Sequence, residues 1–186
     1  MLLDIKFLDD ATRPRAPKLE NLTPEQRAPG RHLRMIHNHL RENIDALRRM
    51  TEEVARGEMT AEQVQAEAEA LDMIGNYRRF GNLCGQHCYI VNTHHSIEDA
   101  HIFPALSEKG EAWKKVTDRL IAEHGVVHAL LEKLVEALNR LARESSAENF
   151  ARAREVNEAL ERVLLSHLGY EEEEIGDALG YFRIGV

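Results

Sequence analysis

The chain has 186 residues, enough for one domain with a real core, and its 5 prolines, 11 glycines and few aromatics beside abundant Ala, Leu, Glu and Arg point to an all-α protein. A net charge of -8 excludes nucleic acid and an anionic membrane surface as main partners, because both need a basic face. No apolar run approaches the roughly 18 to 20 residues of a membrane span, and Met1 to Asp10 is too short and too acidic for a secretory signal, so the expected location is the cytoplasm.

Residues 1–29 carry Pro14, Pro17, Pro24 and Pro29 with little periodicity and read as an N-terminal arm. A first helix is predicted from Gly30 to Arg56, with Leu33, His37, Leu40, Ile44 and Leu47 alternating by four and three as in the seam of a bundle. His32 and His39 fall off that line and read as exposed polar residues. Gly57 ends the helix, and Thr60 with Gln63 resembles a capping box that opens another. His37 lies 20 residues before Gly57 and His94 lies 37 after it. Two plain antiparallel helices rising about 1.5 Å per residue would not bring them level, so about 16 residues must be taken up by an excursion. That excursion is expected at Ala61 to Met73, with a break near Gly75 or Gly81.

The second bundle helix is predicted to run on to Phe103, with Phe80, Cys84, His87, Val91, His94, Glu98 and His101 along its seam. Cys84 and Cys88, one turn apart, are poorly set for a disulfide and read as two buried thiols. His87 is expected to be a hydrogen-bonded core residue and His101 a polar residue at the bundle mouth. A third helix from Glu111 to Arg143 carries Trp113, Leu120, His124, Val127, Leu131, Leu134, Leu138 and Leu141, with His128 beside His124. The fourth, from about Ala147 to Ile175 or slightly beyond, turns Leu160, Leu164, His167 and Glu171 inward, and residues 177–186 form a tail that caps the open end. The domain itself spans 30–176. The expected fold is an up-down-up-down four-helix bundle with an extra helical excursion between its first and second helices.

His94 and Glu98, His124 and His128, and His167 and Glu171 are each one helical turn apart, and His37 stands alone on the first helix. A single seam histidine is more often a satisfied core residue than a ligand, but matched pairs on several helices reverse that expectation. Five imidazoles and two carboxylates exceed what one tetrahedral zinc takes, and no thiolate joins them. They suit two octahedral irons (Fe2+/Fe3+) with a bridging oxide or hydroxide, which leaves one iron position open for dioxygen or another small ligand. In the acidic run Glu171 to Glu174, Glu171 ranks first as a ligand because it alone lies one turn from His167. Glu172 is the fallback.

The segment His94-His95-x-x-Glu98-Asp99 followed by Phe103-Pro104, with His37, His124-x-x-x-His128 and His167-x-x-x-Glu171, resembles the hemerythrin-like, or HHE cation-binding, family over about Gly30 to Gly176. The resemblance implies a four-helix bundle around a non-heme di-iron centre. One iron takes three histidines and the other two, and Glu98 and Glu171 bridge. His95 is implied as a group behind the ligands or as an alternative ligand. The last pair is spaced by four and ends in Glu, whereas oxygen-carrying members have a spacing of five and end in Asp, so transport is not implied. Members also sense oxygen or redox state, regulate iron, or handle peroxide and nitric oxide.

Two readings of function use the same ligands. In one, the centre binds dioxygen or a related ligand for storage, sensing or iron and redox homeostasis, and any signal passes to a separate partner. In the other, it turns over peroxide or nitric oxide. A ferritin-like carboxylate centre wants two Glu-x-x-His pairs, and only Glu98 with His101 offers one. A metal-free helical interaction module leaves seven inward ligand-type residues unexplained.

Overall fold

The structure, a computed structural model, describes residues 2, 4–55, 85–144 and 146–185. Helix α1 spans Ala28–Ala55, α2 Gly85–Ile97, α3 Phe103–Ser107, α4 Glu111–Arg143 and α5 Ala147–Tyr181, with a 3-10 turn at Asp10–Thr12 and a π turn at Glu98–Ile102. No strand occurs among the described residues, as the composition predicts. The predicted excursion at Ala61 to Met73, the break near Gly75 or Gly81, and Cys84 lie outside the described residues. Packing divides the chain into two compact units. The described residues of one come from 1–5, 40–92 and 128–162, and those of the other from 6–39, 93–127 and 163–186.

The first unit buries Leu40, Ile44, Val91, Leu130, Leu134, Leu160 and their neighbours, the alternation by three and four that the sequence carries. Its α5 start is capped locally. Ser146 Oγ accepts from the Asn149 amide at 3.3 Å, and Asn149 Nδ2 donates to the Glu144 carbonyl at 2.9 Å.

The second unit holds a core of Leu33, Ile102, Phe103, Leu106, Trp113, Val116, Leu120, Tyr170, Ile175 and Leu179, against which Phe182 and Ile184 pack. Before α1, Thr23 and Gln26 form a reciprocal capping box: the Thr23 amide donates to Gln26 Oε1 at 2.9 Å and the Gln26 amide to Thr23 Oγ1 at 3.3 Å. The start of α1 and the end of α5 approach backbone to backbone. A Cβ on Gly30 would stand 2.4 Å from the Gly176 carbonyl oxygen. This is why α5 runs through Gly176 and Gly180 to Tyr181, past the expected end near Ile175: these glycines serve a close helix contact rather than a stop.

The π turn has a cause in the sequence. Pro104 has no amide to donate, and its ring conflicts with the carbonyl four residues earlier, so the ladder ahead of it widens and the Phe103 amide bonds to the Glu98 carbonyl. The widened turn keeps Glu98, Ile102 and Phe103 buried and leaves His101 exposed, off the seam on which a regular helix would carry it.

Candidate metal centre

Every residue of the centre belongs to the second unit. His37 comes from α1, His94 and His95 from the end of α2, Glu98 from the π turn, His124 from α4, and His167 and Glu171 from α5. All are buried: His37, His95, His167 and Glu171 show no exposed surface, Glu98 and His124 show 1% each, and His94 shows 8%. Their ligating atoms form two groups, each with its atoms within 4.8 Å of one another. One is His95, His124 and His167; the other is His37, His94, Glu98 and Glu171.

The two carboxylates stand between these groups. Glu98 Oε1 lies 3.3 Å from His94 Nε2 and its Oε2 lies 3.6 Å from His124 Nε2. Glu171 Oε2 lies 3.6 Å from His37 Nε2 and 3.5 Å from His167 Nε2. All four carboxylate oxygens are buried without a hydrogen-bond partner, a costly arrangement that a cation relieves.

The outer nitrogens of three imidazoles are held by further carboxylates. His124 Nδ1 is 2.9 Å from Asp99 Oδ1, His167 Nδ1 is 3.1 Å from Glu123 Oε2, and His37 Nδ1 is 2.9 Å from Glu172 Oε1. An ionised carboxylate only accepts, so each Nδ1 carries a proton, and in the neutral imidazole Nε2 then turns a lone pair inward. The Nε2 atoms of His124 and His167 consequently face each other at 3.1 Å. Two facing acceptors repel, and a cation between them turns the repulsion into coordination. His37 Nε2 and His94 Nε2 lie 2.9 Å apart, a separation that a proton on one of them or a shared cation can satisfy. The donor set therefore fits a bound metal.

Electrostatics agree with that fit. Burial lowers His94 to about 4, so its imidazole is neutral and ready to ligate at pH 7. Burial likewise lowers His167, against the pull of Glu123. Burial and the adjacent Glu171 carboxylate raise Glu98 well above the ordinary range. Burial pushes Glu171 upward too, but His37 and His167 outweigh it and hold Glu171 below its ordinary value. Burial opposes ionisation of Glu123 as well, yet hydrogen bonds from His167, Arg13 and Arg119 hold it at about 2.

The structure brings together His37, His94, Glu98, His124, His167 and Glu171. His128 is half-buried, lies on the stretch of α4 assigned to the first unit, and belongs to neither ligand group. The fifth imidazole is His95, whose ring stacks on His124 at 3.7 Å between centroids. Glu172, the fallback ligand, instead holds the outer edge of His37. Asp99 was read only as part of the motif, without a role, and Glu123 was not singled out from sequence, although a signal existed: each adjoins a residue of the two groups in the chain, as Glu172 does. His101 is exposed while Glu98 is buried, so the one Glu-x-x-His pair of the ferritin-like alternative does not converge. His32 and His39 are exposed, as expected.

No helix of the described residues is long and apolar enough to cross a membrane. No curated protein matches the chain significantly, and no solved structure does. The family model for the hemerythrin HHE cation-binding domain matches residues 28–179, from the first residue of α1 almost to the end of α5 and across all the residues of both ligand groups. On that match and this metal-fitted cluster of histidines and glutamates, the chain belongs to the hemerythrin HHE cation-binding family.

Proposed function

We propose that the protein is a non-heme di-iron protein of the cytoplasm, an up-down-up-down four-helix bundle with a helical excursion between its first two helices. Its centre is two iron ions joined by a bridging oxide or hydroxide. It binds dioxygen or a related small ligand and serves sensing, storage or iron and redox homeostasis, with a separate protein as redox or signalling partner. The observation that carries this reading is the position of Glu98 and Glu171, each within 3.6 Å of imidazole nitrogens from both ligand groups. Carboxylates placed between two nitrogen-rich groups suit a pair of ions, and carboxylate with imidazole suits iron.

Bound there, the iron pair supplies redox chemistry and an open coordination position for a small ligand. The chain's own residues do the rest. Asp99, Glu123 and Glu172 fix the imidazole tautomers, and Phe103, with its ring 5.3 Å from that of His124, walls the site with an apolar face. The test is iron content per chain on protein purified without chelators, with visible spectra before and after dioxygen. About two irons and a saturating spectral change that reverses on deoxygenation are expected. No iron even after anaerobic reconstitution would overturn the reading, and sustained consumption of peroxide would replace the binding role with an enzymatic one.

A further inference from the structure

The N-terminal arm reaches the centre from outside the residues that the family model matches. Arg13 grips Glu123 with two prongs, Nε to Oε1 at 2.9 Å and Nη2 to Oε2 at 3.0 Å. Glu123 Oε2 is the oxygen that accepts from His167 Nδ1. Arg119, one turn before Glu123 on α4, donates at 2.6 Å to Oε1 alone. Arg13 is therefore the cation that fixes the oxygen on which the tautomer and angle of His167 depend.

The rest of the arm is held to α4 and α5 by polar contacts, and its Ala16 and Leu19 pack against the core of the second unit. Arg13 Nη1 donates to Ser166 Oγ at 2.9 Å, Tyr170 Oη to the Pro14 carbonyl at 2.8 Å, and Arg119 to Thr12 Oγ1 and the Asp9 carbonyl at 2.8 and 2.9 Å. Arg15 and the Ala16 amide both donate to Glu174. The polar contacts of this strap are directional, and its apolar residues Ala16 and Leu19 are only partly buried against the core.

We infer that Arg13 is a positioning residue for His167, acting through Glu123, and that docking of the N-terminal arm and metal loading of the His95, His124 and His167 group strengthen each other. The inference rests on the metal-binding reading of the two groups. Its reciprocity follows from linkage: if the docked arm raises metal affinity by some factor, bound metal favours the docked arm by the same factor. Occupancy of a buried site is thereby reported at the surface, in the state of a segment that a partner protein can reach.

The test is an anaerobic titration of Fe(II), against a competing chromogenic chelator, on wild type, Arg13→Ala, Glu123→Gln and the double variant. The wild-type stoichiometry is read first. Arg13→Ala is expected to weaken one of the two ions by about fivefold or more, and Arg13→Lys, which keeps the charge without the two-pronged grip, by less. In the Glu123→Gln background the Arg13 substitution should add little, because the path through Glu123 is already cut. Hydrogen exchange of the arm, with the Ala16 amide as reporter, should slow when Fe(II) is added to wild type and not when it is added to Arg13→Ala. Equal effects of Arg13→Ala in both backgrounds, unchanged affinities, or arm exchange indifferent to iron would overturn the inference while leaving the metal centre standing. A wild type that takes up no iron overturns both.

Discussion

His37 is gripped at both edges by successive residues of one helix: Glu172 Oε1 lies 2.9 Å from its Nδ1, and Glu171 Oε2 lies 3.6 Å from its Nε2. His124 is held the same way, with Asp99 Oδ1 at 2.9 Å from Nδ1 and Glu98 Oε2 at 3.6 Å from Nε2. In each pair the first carboxylate faces the centre and the second fixes the imidazole. Replacing the second should loosen the ring without removing a ligand. Glu172→Ala is expected to weaken metal binding by about 10- to 100-fold at the His37 and His94 group, and Asp99→Ala by a similar factor at the group containing His124. Competition titrations check this, and an unchanged affinity in either variant would refute the division of labour.

His95 and His128 give a sharper test of ligand identity. The sequence pairs His128 with His124 one turn away, while the structure stacks His95 on His124 and leaves His128 out of both groups. His95→Ala should lower the metal content from about two ions per chain towards one, whereas His128→Ala and His39→Ala should keep both. Metal analysis of the three purified variants decides it. Loss of an ion in His128→Ala alone would restore the ligand set read from spacing.

The contrast shows what spacing can reveal. His94 with Glu98 and His167 with Glu171 were legible because a four-residue step on a helix places two side chains on one face. Spacing alone did not reach His95, which only the family resemblance offered as an alternative ligand, because its neighbour His94 already filled the expected place and adjacent helical residues point about 100° apart. Both can face the centre only where helices approach from more than one side. The π turn was hidden too, since Pro104 marks a disturbance without saying whether the helix stops or widens. Glu172 was visible as an acidic neighbour, but its partner His37 lies on another helix, and pairing across helices is a property of packing rather than of local sequence. The end of α5 was misplaced for a related reason. Gly176 reads as a stop until the backbone of α1 at Gly30 is seen against it.

That contact carries its own prediction. A Cβ on Gly30 would lie 2.4 Å from the Gly176 carbonyl oxygen, and one on Gly180 would collide with the Gln26 backbone. Backbone atoms on both sides cannot swing away as a flexible side chain would, so α1 and α5 must shift apart. Gly30→Ala is expected to destabilise the protein by about 1–3 kcal/mol, the range for overpacking. Since His37 stands on α1 and Glu171 and Glu172 on α5, metal affinity should fall with it. Thermal melting with and without Fe(II) measures both. An Ala variant that melts with wild type would mean that the helices have room that the structure does not show.

Metal binding should also release a proton from Glu98. In the metal-free protein, burial and the Glu171 carboxylate raise Glu98 well above the ordinary carboxylate range, while Glu171 stays ionised beside His37 and His167. His94, lowered to about 4, already carries no proton at pH 6. A bound cation reverses the penalty at Glu98 and drives its proton out, so loading should release protons to the extent that Glu98 is protonated beforehand. The sign follows: affinity rises with pH while Glu98 is protonated in the metal-free state and levels off above its raised value. Loading in weak buffer with a pH indicator measures the release directly. Glu98→Gln, with no proton to give at this position, should bind whatever metal it still takes without that release, and equal release from wild type and Glu98→Gln would place the proton on another group.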